Sequence, residues 1–180
     1  MKGILKMGIY LKQLSEDDGM EIYDMLQGIE KDDSGFTNAV KDMPYEDYRL
    51  WLKENVGYSK GIGLADWMVP QTTYWLFDGE NPIGCGRIRH YMNEKLKKDS
   101  GHIGYAISFP YRGKGYGNKI LELLIIECRK MLIKEMQIGV NKANERSNKV
   151  VLRNGGLLLK ETESKNIYTI TVARKEKSGL

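Results

Sequence analysis

The apolar period of this chain switches from two residues to about 3.6 across one glycine-rich hexapeptide, Arg112-Gly113-Lys114-Gly115-Tyr116-Gly117. Before it, HIGYAIS (102–108) alternates as a strand does, stopped by Pro110. After it, residues 115–132 place Ile120, Leu121, Leu124, Ile125, Cys128 and Leu132 on one side of a helix. A strand–loop–helix unit of this kind restricts the chain to folds in which a sheet and a helix share a core. It also sets a chemistry. Glycines reach dihedrals closed to other residues and let a ligand approach the backbone. The helix start beyond them offers unpaired N–H groups at the positive end of the helix dipole. With Arg112 and Lys114 alongside, the loop suits a phosphate or pyrophosphate. Two phosphate-loop patterns are excluded. The Walker pattern begun at Gly113 fails at Asn118 and Ile120, and Gly-x-Gly-x-x-Gly fails at Asn118.

The other elements follow the same two periods. Residues 7–14 read as a strand. Ser15 followed by Asp18 is a capping-box pattern and predicts a helix opening at Ser15, with Ile22, Met25, Leu26 and Ile29 as its apolar stripe. A second helix follows Pro44, with Tyr45, Tyr48 and Leu52 inward, and residues 56–70 are Gly-rich and irregular. TTYWLF (72–77), the turn Asp78-Gly79 and IGCGRIRHY (83–91) read as a hairpin, followed by a polar connector over 92–101. MQIGV (136–140) is a strand, and a helix over 146–153 ends at Gly155-Gly156. LLLKET (157–162) and IYTITVA (167–173) close as a hairpin. The order β-α-α-β-β-β-α-β-α-β-β predicts a single-domain α/β fold, with a mixed, mostly antiparallel sheet flanked by helices. The strand–helix–strand unit over 102–140 adds one parallel pair.

Composition narrows the function. The chain has 180 residues, 41% hydrophobic and 29% charged, which is ordinary globular usage. Its net charge of +4 does not by itself announce a polyanion partner, and Lys95, Lys97, Lys98 and the tail Arg174-Lys175-Glu176-Lys177 read as solvated faces, so no nucleic-acid partner is expected. The apolar run ILELLII holds Glu122 and is too short for a membrane span. Lys2, Lys6 and Lys12 interrupt the N-terminus, which is not a signal peptide. Cys85 and Cys128 sit inside apolar segments as buried free thiols, so a cytoplasmic protein is expected. There is no HExxH, CxxC or Gly-x-Ser-x-Gly spacing, hence no expected metal and no hydrolase elbow.

The pattern that remains is Arg-x-x-Gly-x-Gly, carried by Arg112, Gly115 and Gly117 after a strand ending AIS. It resembles the acetyl-CoA signature of the GCN5-related N-acetyltransferase (GNAT) family. Asn141-Lys-Ala-Asn144-Glu-Arg-Ser147 followed by VVLRNGG resembles that family's Asn-x-x-Ser segment and final helix, and RHYMNEKLKKDSGHIGY resembles a stretch in a bacterial subgroup of predicted acetyltransferases. The resemblance implies one N-acetyltransferase domain over 7–175, with acetyl-CoA as co-substrate and no metal. Pantetheine would pair with the strand ending at Ile107 and Ser108 as an added strand would. An N–H near Ile107 would polarise the thioester carbonyl. The implied cofactor-binding residues are Ile107, Ser108, Phe109, Arg112, Gly113, Lys114, Gly115, Tyr116, Gly117, Asn118, Asn144 and Ser147. A primary amine of a small molecule or peptide would attack directly in a ternary complex; monomer and homodimer are both open.

Two departures from the family bear on proton transfer. Many relatives carry on the last helix a Tyr that protonates the leaving thiolate; register places Val151 there, and Gly156 replaces the family's Phe. The family carboxylate before the loop falls on Gly101, so the base candidates are the neighbouring His102, then His90 and Glu94. The missing Tyr also motivates a second reading, a non-catalytic acyl-CoA-binding or sensing module. The charge alone motivates a third, an RNA-associated protein. Finally, Glu16, Asp17, Asp18, Glu21, Asp24, Glu30, Asp32 and Asp33 crowd the first helix and its connection, which predicts a cationic acceptor.

Overall fold

In the computed structural model, residues 8–172 are described; the tail at 174–177 and the outer ends of the first and last expected strands lie outside them. The elements are β1 (Ile9–Gln13), α1 (Met20–Gln27), β2 (Asp32–Asp33), β3 (Phe36–Thr37), α2 (Tyr45–Ser59), β4 (Gln71–Asp78), β5 (Asn81–Arg89), α3 (Glu94–Asp99), β6 (Ile103–Ile107), a 3₁₀ turn (Phe109–Tyr111), α4 (Tyr116–Lys130), β7 (Glu135–Asn141), α5 (Glu145–Arg153), β8 (Leu157–Glu161) and β9 (Lys165–Thr171). The expected mixed α/β fold is therefore present. Three short elements are additional: the β2–β3 hairpin, and α3 inside the stretch read as a connector.

Alternation along β4 builds the layers. Trp75 and Phe77 face one side, against Ile22, Leu26, Tyr48 and Leu52 of α1 and α2. Tyr74 and Leu76 face the other, against Ile120, Leu121 and Leu124 of α4 and Val151 of α5. A sheet buried on both faces needs close helix approach, and Gly86 supplies it: a Cβ there would lie 2.7 Å from Leu124 Cδ1.

Helix α1 starts at Met20 rather than Ser15. Asp18 is fully buried and is a tertiary anchor: the back-bond to Ser15 forms, but no helix begins there. Its carboxylate accepts from the Ser15 backbone N–H at 2.8 Å and from Trp75 Nε1 at 2.6 Å, and it pairs with Lys12. The stripe Ile22, Met25, Leu26 is buried as expected.

The strands form a sheet β1-β4-β5-β6 and a separate sheet β7-β9-β8. Every ladder among the described residues is antiparallel, so the parallel pair expected over 102–140 does not form. Beside that gap, β6 and β7 are joined by one isolated bridge, Gly101 to Ile138. Gly101 has φ +82°, and a Cβ on it would lie 2.2 Å from Gln137 O; a Cβ on Gly139 would lie 2.4 Å from the Asp99 carbonyl oxygen. The chain leaving α3 crosses β7 in backbone-to-backbone contact there, and the two strands then diverge.

Candidate active site

The divergence leaves a strand edge without a partner. Ser108 N–H donates to Ile83 O and Arg89 N–H donates to His102 O, which bracket Ile107 and Ile103 as non-hydrogen-bonded positions of the β5–β6 ladder. By alternation, the N–H and C=O groups of Ile103, Tyr105 and Ile107 point away from β5, into the gap. The Ile107 carbonyl is taken by Arg112 Nε at 2.9 Å; the amides are left to face the gap.

At the end of β6 the glycine loop turns into α4. Gly115 is the N-cap in the left-handed region, φ +84°, with no side chain to cap the helix, and the first turn carries no acid. Gly113 has φ +78°. The first-turn amides of a helix have no acceptor within it, so this end is open to an anion. A cavity of about 280 Å³ runs along the gap and brings together Ile107, Arg112, Gly113, Gly117, Asn144 and Ser147, with Tyr105 and Asp33. Asn144 caps α5, its Oδ1 accepting from Ser147 N–H at 3.1 Å. Arg112 Nη2 also donates to Asp33 Oδ2 at 2.6 Å, tying the β2–β3 hairpin to the loop.

The remaining expected cofactor residues do not line this cavity. Ser108 is buried against Gly28, where a Cβ would lie 2.1 Å from its Oγ. Phe109 is exposed and its N–H donates to Gly28 O. Lys114 lies over the Tyr111 ring. Tyr116 donates to Asp78 Oδ2 at 2.7 Å, toward the β4–β5 turn. Asn118 has a buried Oδ1 without a partner, and Gly115 serves through its dihedrals.

His102 is buried, and its Nδ1 accepts from Gln137 N–H at 3.0 Å. The lone pair a base would use is thus occupied, and the ring joins β6 to β7. Burial, with Arg89 adding to it, lowers its pKa. His90 Nε2 meets Thr72 Oγ1 at 2.8 Å. Glu94 is exposed in the first turn of α3, paired with Lys97, which lowers its pKa, and lines neither cavity beside the gap. Val151 is fully buried, and a Cβ on Gly156 would lie 2.5 Å from Val151 Cγ1, so the two departures from the family pattern form one packed contact.

Sequence reasoning missed Tyr105. It is two residues before Ile107 and therefore on the same face of β6, which is the signal that was there to use. Its hydroxyl faces Ser147 without a regular hydrogen bond, and burial pushes its pKa up to about 12. Arg87 and Arg89 were missed as well. They line a second cavity, beside the gap with Ile103 and Tyr105, and a third of about 430 Å³ beneath α2 with Trp51, Tyr58 and Trp67. The acidic stretch does not wall these spaces. Asp33 alone of its members lines the two cavities beside the gap, and it is paired with Arg112.

Comparison with known proteins agrees with this geometry. A family model described as the acetyltransferase (GNAT) family matches residues 30–155. No curated protein matches the chain. Among solved structures, the N-acetyltransferase PseH of Campylobacter jejuni in complex with acetyl coenzyme A is 14% identical with a TM-score of 0.61, covering 91% of this chain and 98% of that one. RimL, a ribosomal L7/L12 alpha-N-protein acetyltransferase in complex with coenzyme A, is 16% identical with a TM-score of 0.65, covering 93% and 96%. MccE, a microcin C7 self-immunity acetyltransferase in complex with acetyl-CoA and AMP, is 18% identical with a TM-score of 0.67, covering 91% and 92%. At these identities the likeness is one of fold.

Proposed function

Because the chain belongs to the GNAT family of acetyltransferases, we propose that it is an acetyl-CoA-dependent N-acetyltransferase acting on a primary amine of a small molecule or peptide. The observation that carries this reading is the free edge of β6 beside the uncapped glycine start of α4. Acetyl-CoA supplies the acetyl group as an activated thioester. The amides of Tyr116 and Gly117, with Gly113, would hold its pyrophosphate, and the edge of β6 its pantetheine. Asn144 and Ser147 line the opposite wall. An amide of Ile107 or Tyr105 donates to the carbonyl oxygen as charge grows there.

The amine nitrogen forms the new C–N bond as the C–S bond breaks. No enzyme thiol takes part, since burial pushes both Cys85 and Cys128 up to about 12. With the acceptor nitrogen of His102 engaged, the amine's proton goes to solvent water. The leaving sulfur takes a proton from Tyr105, a phenol and so protonated at neutral pH, and Tyr105 is recharged from solvent. Free buried thiols also fit a cytoplasmic setting.

Val151 favours one alternative, a silent acyl-CoA-binding module on the same fold. Thermal stabilisation by acetyl-CoA, followed by a thiol-release assay across an amine panel, separates the two. Stabilisation with release supports the enzyme; stabilisation without release on any amine supports the module; no stabilisation by any acyl-CoA overturns both.

A further inference from the structure

Arg87 and Arg89 stand on the α1/α2 face of β5, roughly 6.5 Å apart as alternate strand residues. Together with Thr37 they line both the cavity beside the gap and the larger one beneath α2, so they sit where the two meet. Neither has an ion pair among the described residues. Among the described residues the Arg87 side chain has no hydrogen bond: its Nε is buried without a partner, and its guanidinium lies over the Phe36 ring at 5.3 Å. Arg89 donates only to a neutral carbonyl, Gly101 O, at 3.0 Å. The nearby acids do not neutralise them. Asp33 pairs with Arg112, Glu54 lines the far cavity without an ion pair to either arginine, and Asp99, whose carboxylate accepts from Ser100 Oγ, attracts Arg89 without forming an ion pair with it. A half-buried guanidinium without an anion is costly, and a fork of this kind is matched by a planar or tetrahedral oxyanion.

We propose that Arg87 and Arg89 bind a carboxylate or phosphate group of the acceptor, so that the substrate is an amine carrying an anionic group. The inference rests on the acyl-transfer reading for what is acetylated, and on the arginines alone for the anion. It reverses the cationic acceptor suggested by the acidic stretch. An acceptor entering beneath α2 would be held at its anionic end by Arg87, with its amine directed past Thr37 toward the β6 edge.

The test compares matched amines in the thiol-release assay: 3-aminopropanoate, 3-aminopropyl phosphate, propylamine and 1,3-diaminopropane. Charge-assisted hydrogen bonds of this class predict a kcat/KM roughly ten- to hundredfold higher for at least one anionic amine than for propylamine. Which of the two is preferred identifies the group. Arg87→Gln should abolish the preference, lowering kcat/KM on the anionic amines at least tenfold more than on propylamine, and Arg87→Lys should retain part of it, with both variants melting near the parent. Equal rates on all four amines, a preference for diaminopropane, or an Arg87→Gln loss that is the same on every amine would overturn the proposal while leaving acyl transfer standing. If no amine releases thiol, the acyl-transfer reading fails and calorimetry with propanoate and propyl phosphate decides the anion site. Binding lost in Arg87→Gln upholds it, and no binding to the parent protein overturns it.

Discussion

Valine in place of Gly115 separates what the glycine loop does for a ligand from what it does for the fold. Gly115 has φ +84°, and a Cβ there would meet nothing within 4 Å, so the substitution creates no clash. Its structural cost is the left-handed dihedral, roughly 1–2 kcal/mol for an L-residue. In a chain of this size that lowers Tm by about 2–8 °C. If the loop relaxes to shed that strain, the first-turn amides of α4 swing off the pyrophosphate. Each amide-to-phosphate bond lost costs about 1.5–3 kcal/mol, or roughly ten- to hundredfold in acetyl-CoA affinity. Gly155 is the control, with φ +85° and an equally open Cβ, but at the far end of α5. Titration calorimetry and melting should show both valine variants destabilised alike and only Gly115→Val impaired in binding. An acetyl-CoA affinity of Gly115→Val within about twofold of the parent, with the fold intact, would refute the assignment of the loop.

Three further outcomes are expected. Tyr105→Phe should lower kcat on the order of a hundredfold with acetyl-CoA affinity unchanged, read by stopped assays and calorimetry; an unchanged kcat would remove Tyr105 as the proton donor. Asp18→Ala removes the buried carboxylate that holds Trp75, Ser15 and Lys12 and should cost about 3 kcal/mol, seen as a Tm lower by about 6–12 °C. His102 and His90 both have pKa values lowered by burial, so the unfolded chain takes up protons first as pH falls. Stability is therefore complete above about 6.5 and declines below it. His102→Asn, which keeps an acceptor for the Gln137 amide, should flatten that decline in denaturant titrations and leave the acid limb of the rate profile in place.

What was legible in the sequence was local. The switch of period at the glycine loop located β6, α4 and the left-handed Gly115, because φ and amphipathicity are encoded within a few residues. The start of α1 was not legible. Ser15 and Asp18 have the spacing of a cap, but the carboxylate is claimed by Trp75, fifty-seven positions away, and tertiary contacts outrank a local motif. The parallel pair failed for the same reason: the crossing of Gly101 and Gly139 is a backbone contact between segments distant in sequence. Counting charge between Ser15 and Gly35 likewise said nothing of direction. Asp18 points into the core and Asp33 toward Arg112, while two arginines separated by one residue on an apolar strand passed unnoticed.

The gap between β6 and β7 also bears on how these two strand edges are shielded. An unpaired strand edge invites other chains to add to it, and proteins ordinarily blunt such edges with charge, proline or a covering element. Here each sheet turns one of its two edges toward the other, β6 on one side and β7 on the other, joined at one end by the Gly101–Ile138 bridge. A foreign strand would have to part the two halves of the molecule to reach them. The arrangement keeps a row of unsatisfied amides inside the fold, within reach of a slender ligand and out of reach of a foreign strand.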